Sequence, residues 1–276
     1  VGVLVTKTEA TIFWDGGRSD EPISTSQPGV ATPTIRSALR PAAVASHMAI
    51  VPASMTLLDY LAMIPSFPVR PAPVKISLPH AAGEAAVITH LPTDSKVAFI
   101  TVDDGWWAEA LTQNLIDQSG IPVTAFLITT AVKGTSETFF ANLQSHGVVI
   151  EDHTVTHPDL TTLNLAGQEA EICSAAGQLG NWFGRRPLYL RPPYLSYNEV
   201  TLRAAWSCGI GAVVSANDSV ANGVISYSDS AGKIDPGDIV VMHFEPDFAI
   251  NFVNALRAIK AAGLTPAVLQ DWITVS

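Results

Sequence analysis

Residues 97–105 read VAFITVDDG. Six residues suited to a strand buried on both faces run straight into two adjacent carboxylates and a glycine. Like charges side by side repel, and burying either is costly unless it is paired with a cation or bound to a metal. Gly105 permits a tight turn, so Asp103 and Asp104 stand where the strand ends. A solvated Asp-Gly turn accounts for this stretch equally well on its own. The rest of the chain decides.

Downstream, strands and helices alternate. Strands are expected at 97–102, 122–127, 148–151, 188–190, 211–215, 239–243 and 266–269, with helices at 108–118, 137–146, 166–183, 199–208 and 249–262. Repeated β-α units with doubly buried strands imply a parallel sheet, either open or closed into a barrel. Upstream, the chain changes character. Eleven of the 19 prolines lie between Pro22 and Pro92, and apolar periodicity is poor. Residues 1–90 are therefore expected to form an irregular Pro-rich extension, with short strands at 11–14 and 74–78 and a helix at 55–63. Residues 91–276 would form the main domain.

Bulk properties narrow the function. At 276 residues and 47% hydrophobic content the chain can bury a large core. A net charge of −10 disfavours nucleic acid and anionic membranes but not a neutral polymer. No apolar run reaches 18 residues, so no membrane insertion is expected. Cys173 and Cys208 match no metal or redox spacing, and form either one disulfide or two buried thiols.

Polar residues gather at the strand ends. Asp103-Asp104 come after the first strand, His153 and His157 of HTVTH after the third, and Arg191 to Tyr194 (RPPY) after the fourth. Asn217-Asp218 and His243 come after later ones. In a parallel barrel such ends open on one face. His at i and i+4 can meet one ion from one face of a helical turn, and two imidazoles with a carboxylate leave open positions on a divalent metal. One carboxylate can then bind metal while the other acts as general base. Arg191 supplies a cation to orient a carboxylate, and His243 suits a general acid. Trp106, Trp107, Phe244 and Phe248 lie near these groups and can either stack on sugar or pack in the core.

DDG after an apolar strand, HTVTH, RPPY and a strand ending in His, in that order over residues 90–275, resemble the polysaccharide deacetylases of carbohydrate esterase family 4, the NodB homology group. The resemblance implies a distorted (β/α)7-type barrel and metal-dependent removal of acetyl groups from sugar polymers, such as chitin-like chains or peptidoglycan. It implies Asp103 as base and Asp104, His153 and His157 as metal ligands. Arg191 would brace Asp103, the Tyr194 amide would hold the oxyanion, and His243 would protonate the leaving amine. The ion would be Zn²⁺, with Co²⁺, Mn²⁺ and Ni²⁺ also suited to the ligand set. The expected partner is an acetylated polysaccharide, and the expected setting a monomer, secreted or at a bacterial cell wall, its leader removed. Two alternatives stay open: an O-acetyl xylan esterase using the same residues, and a non-catalytic carbohydrate-binding protein that retains the metal site. The chain departs from the family pattern near 218–222, where Ala221-Asn222 stand in place of an Asp-Trp pair, and at the acidic Glu151-Asp152, either of which could pair with Arg191 or a ligand His.

Overall fold

The structure, a computed structural model, describes residues 55–275 apart from Thr135. The strand expected at 11–14 lies outside these residues. Helix α1 (Leu57–Met63) is opened by a reciprocal cap between Thr56 and Asp59. Short strands β1 (Ile76–Ser77) and β2 (Ala86–Ile88) come next, and then β3 (Val97–Asp104), α2 (Ala110–Ser119), β4 (Thr124–Leu127), α3 (Thr129–Val132) and α4 (Glu137–Ser145). The chain continues through β5 (Val149–Asp152), α5 (Leu165–Phe183), β6 (Tyr189–Leu190), α6 (Glu199–Ser207) and β7 (Ala212–Val214). It ends with β8 (Asp218–Ala221), β9 (Val224–Ser226), β10 (Ile239–His243), α7 (Phe248–Ala261), β11 (Thr265–Ala267) and β12 (Ile273–Thr274).

The main sheet runs β2-β7-β6-β5-β4-β3-β10-β8-β9, with β11 also paired to β3. Every pairing is parallel except β8 with β9. The sheet curls into a half-barrel, and an antiparallel bridge between His90 and Asp238 links the segment after β2 to the start of β10. Residues of the Pro-rich segment take part in this architecture. Strand β2 pairs with β7, and Leu57, Tyr60 and Leu61 of α1 pack on the apolar layer under the helices.

Two apolar layers follow the alternation of β3. Ala98, Ile100 and Val102 face the layer packed by α2, α4 and α7. Val97 and Phe99 face a second cluster with Phe126, Tyr189, Val214 and Trp272. Thr101 and Asp103 continue that second face by the same alternation, which carries Asp103 inward at the strand's C-terminal end. Ladder register then places His243 of β10 directly beside Asp103.

The stretch between β7 and β10 where the chain departs from the family pattern has a structure of its own. The stretch that reads as a degraded Asp-Trp site is the tip of the β8–β9 hairpin, with Asn222 (φ 52) and Gly223 (φ 73) both in the left-handed region. Asn-Gly flanked by short strands is the strongest local signal for such a turn. The tip is held by Asp247, which accepts from the Asn222 N–H, and by Asn251, which accepts from the Gly223 N–H, each at 2.7 Å.

Candidate active site

Arg191 is fully buried at the end of β6, and the barrel itself supplies the partners of its guanidinium. Nη1 donates to Asp103 Oδ1 (2.8 Å) and to Thr101 Oγ1 (2.6 Å). Nε donates to the Val214 carbonyl and Nη2 to the Ser215 carbonyl. The Phe126 ring lies 4.4 Å from its Cζ. Two of these partners are thus backbone carbonyls at the end of β7. Asp218 does not reach the guanidinium, and instead accepts from the Ser228 N–H. Thus Asn217-Asp218 is the one polar group of the five strand ends that does not join the others.

Asp103 and Asp104, though adjacent, part company. Asp103 is buried against Arg191. Asp104 has φ 80, which ends the strand geometry, and its Oδ1 lies 3.5 Å from His153 Nε2 and 3.8 Å from His157 Nε2. The ligand atoms of Asp104, His153 and His157 all fall within 4.8 Å of one another. The helical turn expected for HTVTH is absent. Residues 153–157 form a loop in which Thr154 (φ 71) and His157 (φ 61) are left-handed, and that path, not a helix face, brings the two rings to 4.8 Å.

Several groups set this loop. The Arg191 carbonyl lies 2.7 Å from His153 Nδ1, which leaves Nε2 facing Asp104. Asp152 accepts from the Thr154 N–H at 2.7 Å. Glu171, on α5, accepts from the N–H groups of Val155 and Thr156 and from the Thr156 hydroxyl. Glu151 is buried against Arg185, the Leu188 and Tyr189 N–H groups and Gln270. Neither carboxylate pairs with the Arg191 guanidinium or a ligand ring: Glu151 is taken by these partners, and Asp152 Oδ1 by the Thr154 N–H. Burial raises Glu151 and pushes Asp152 up to about 8.

The site's electrostatics favour a cation. Burial works to raise the Asp104 carboxyl, but the rings of His153, His243 and His157 outweigh it and hold it below the ordinary range. Burial works to lower His153, and Asp103 and Asp104 outweigh it in turn. His157 is pushed down to about 4 by burial and by His153 beside it. Asp104 Oδ1 is buried with no hydrogen-bond partner. A buried unpaired carboxylate oxygen is costly, and two imidazole nitrogens beside it complete a donor set suited to a divalent metal. The residues present fit such an ion.

Backbone strain gathers at the same place. Among the described residues, six non-glycine residues have positive φ, and five of them are Asp104, Thr154, His157, Tyr194 and Leu195. Such conformations persist where the surroundings over-determine them, commonly at working sites. Tyr194 stands on the rim with its ring edge-on to His157 at 4.8 Å. His243 is half-buried at the end of β10. Phe244 and Phe248 are core residues stacked on each other, whereas Trp106 and Trp107 are exposed.

Sequence reasoning missed Thr101 and Glu171. Thr101 had a signal, being the one hydroxyl in an apolar strand, two residues before Asp103 and so on its face. Glu171 had none, since its role depends on how α5 packs.

A curled parallel half-barrel with these groups at its strand ends is the (β/α)7-type scaffold of family 4 carbohydrate esterases. The polysaccharide deacetylase family model matches residues 90–213. An uncharacterized protein of Streptomyces coelicolor is 35% identical over 192 residues, 68% of this chain and 77% of the relative. A chitin deacetylase of Pestalotiopsis sp. is 29% identical over 185 residues, 62% of this chain and 61% of that protein. A family 4 carbohydrate esterase from Bacillus anthracis shares the fold with a TM-score of 0.58 at 21% identity, over 67% of this chain and 86% of that one. The chain belongs to the polysaccharide deacetylase family.

Proposed function

We propose that this chain is a metal-dependent hydrolase that removes N-acetyl groups from N-acetylglucosamine polymers, chitin-like or peptidoglycan. The observation that carries the reading is the convergence of Asp104, His153 and His157 around an unpaired buried carboxylate oxygen, next to an Asp103 held by Arg191. Membership of the polysaccharide deacetylase family and a chitin deacetylase relative support the substrate class.

Asp104, His153 and His157 would hold the ion, Zn²⁺ or a similar divalent metal. When bound, it supplies a Lewis-acid charge beside the reacting carbonyl. The remaining work falls to the chain. Arg191 fixes the Asp103 carboxylate through Oδ1, leaving Oδ2 to take a proton from the attacking water. The water oxygen adds to the acetyl carbon, and the Tyr194 N–H, presented by its left-handed backbone, stabilises the oxyanion. His243, beside Asp103 in the ladder, donates a proton to the sugar nitrogen as the C–N bond breaks. Acetate and a free amine result. Arg191 and Thr101 act by positioning. The bridge between Cys173 and Cys208 supports an exported location, since such bonds persist in oxidising compartments.

The test is acetate release from chitooligosaccharides and acetylated xylan by chelated protein, by protein with Zn²⁺ or Co²⁺ restored, and by Asp103→Asn. Metal-dependent release from the chitooligosaccharides, absent in the variant, is expected. Release from xylan alone would make the protein an ester hydrolase, and no release from either would overturn the reading.

A further inference from the structure

Strands β7 and β8 stand near opposite ends of the sheet order, with β6, β5, β4, β3 and β10 between them. Yet only Ser215, Ala216 and Asn217 join them, so Val214 and Asp218 are four Cα steps, at most about 15 Å, apart. These three residues therefore cross the open side of the half-barrel. Hydrogen bonds tie the crossing at both ends. The Ser215 N–H donates to the Ile88 carbonyl of β2 (2.8 Å), and the Asn217 N–H donates to the Ile239 carbonyl of β10 (3.2 Å). On the way, the Ser215 carbonyl accepts from Arg191 Nη2 at 3.0 Å. One short piece of chain thus closes the sheet and holds the cation beside Asp103.

The side chain of Asn217 is fully used. Oδ1 accepts from the Ile239 N–H at 2.9 Å, and Nδ2 donates to Asp238 Oδ1. An amide suits both partners at once, whereas a carboxylate here would accept from Ile239 but meet Asp238 as a like charge. Asp238 is itself a fixed anchor. It is buried, with His90 Nδ1 on the same oxygen (2.9 Å) and the Asp235 N–H on the other (2.6 Å). Gly237 beside it packs so closely that a Cβ there would run into the Leu91 carbonyl.

We propose that Asn217 is a positioning residue for the deacetylation. By pinning the crossing to the start of β10, it holds the Ser215 carbonyl where that carbonyl orients the Arg191 guanidinium on Asp103. The kinetic part of the inference rests on the deacetylase reading. β10 ends at His243, so the same side-chain bonds keep the brace of the proposed base and the strand of the proposed acid in one register. Without them the crossing gains freedom and Arg191 loses a fixed acceptor. Asp103 then keeps its cation through Nη1, but its free oxygen is no longer aimed. A misplacement on the order of 1 Å far from the chemistry costs about 100-fold in rate.

The test uses the whole chain with Zn²⁺ restored. Asn217→Ala and Asn217→Ser, whose hydroxyl is too short to make both bonds, are compared with the natural protein. His90→Ala removes the other side-chain partner of Asp238 and serves as the control for a weakened seam. In both Asn217 variants kcat for acetate release from chitohexaose should fall about 10–100-fold, with KM within about twofold of the natural value. The guanidinium N–H resonances of Arg191, assigned by their absence from Arg191→Met, should shift or broaden in the same two variants. His90→Ala should lose stability in urea but keep both kcat and the Arg191 spectrum. An unchanged kcat in a folded Asn217 variant would overturn the proposal, and so would an equal loss in His90→Ala, which would make the seam a matter of packing alone. Should the natural protein release no acetate, the deacetylase reading fails and the spectrum decides. Arg191 signals that move in the Asn217 variants would keep Asn217 as the holder of the guanidinium, and signals that do not move would reject it.

Discussion

Replacing Arg191 with Met tests how the Asp103 carboxylate is held. Methionine keeps roughly the length and apolar bulk that lies on Phe126 but removes the charge and every donor. Asp103 is then a buried carboxylate without its cation, and the carbonyls of Val214 and Ser215 lose their donor. Removing one partner of a buried pair costs about 3–5 kcal/mol. That is a large share of a typical domain's stability. With a urea m-value of about 1–3 kcal/mol/M, the midpoint should fall by about 1–5 M. Acetate release should be lost as well. The double variant Asp103→Asn/Arg191→Met removes both charges of the pair, so the part of the loss that comes from the uncompensated carboxylate should return, and what remains is the cost of the unpaired Val214 and Ser215 carbonyls. Urea midpoints for the four proteins of this cycle decide the matter. Equal or additive losses, with the double variant as unstable as the sum of the singles, would refute the claim that the guanidinium is there to carry the Asp103 charge.

If His153 and His157 hold a metal as proposed, Glu171→Ala should weaken its affinity about 10–100-fold, since Glu171 holds the loop between them. Competition against a chromophoric chelator reads this directly, and an unaltered affinity would remove Glu171 from the site. The bridge between Cys173 and Cys208 closes 35 residues of sequence separation, so its double Ala variant should lose about 4 kcal/mol in urea unfolding. Burial, with Asp238 and Asp229 nearby, raises the Asp218 carboxyl to about 6 from an ordinary 3.8. The folded chain thus keeps a proton that the unfolded chain has released. That contribution is full below pH 3.8 and lost as pH rises through 6. Asp218→Asn, which mimics the protonated form, should match the natural protein's Tm near pH 4 and exceed it above pH 6. A constant difference across that range would show that the Asp218 proton does not matter.

Much of the fold is legible because β-α alternation leaves a strong mark. The strands at 97–104, 149–152 and 239–243 are long enough or apolar enough to announce themselves, and the polar residues at their ends do meet. β2 is hidden because Ala86–Ile88, at the end of an alanine-rich stretch, is only three residues long and too short to show a period, and only pairing with β7 makes it a strand. The β8–β9 hairpin carries its Asn-Gly signal openly, but its place after β7 invites comparison with the Asp-Trp pattern instead. HTVTH brings two histidines together as expected but through another local geometry, since spacing of four suits a helical turn and two left-handed residues achieve the same convergence. The pairing of Arg191 with Asp103 is legible, but its other partners are hidden for a simpler reason. Two of them are backbone carbonyls, and a carbonyl has no residue type.

At Thr154, His157, Tyr194 and Leu195, glycine would suit the left-handed backbone better than the side chain that is there. Selection for heat resistance alone would therefore tend to erode this rim, and selection for turnover would tend to restore it. In a library screened for both, these positions should mark the boundary where improvement in one property begins to subtract from the other.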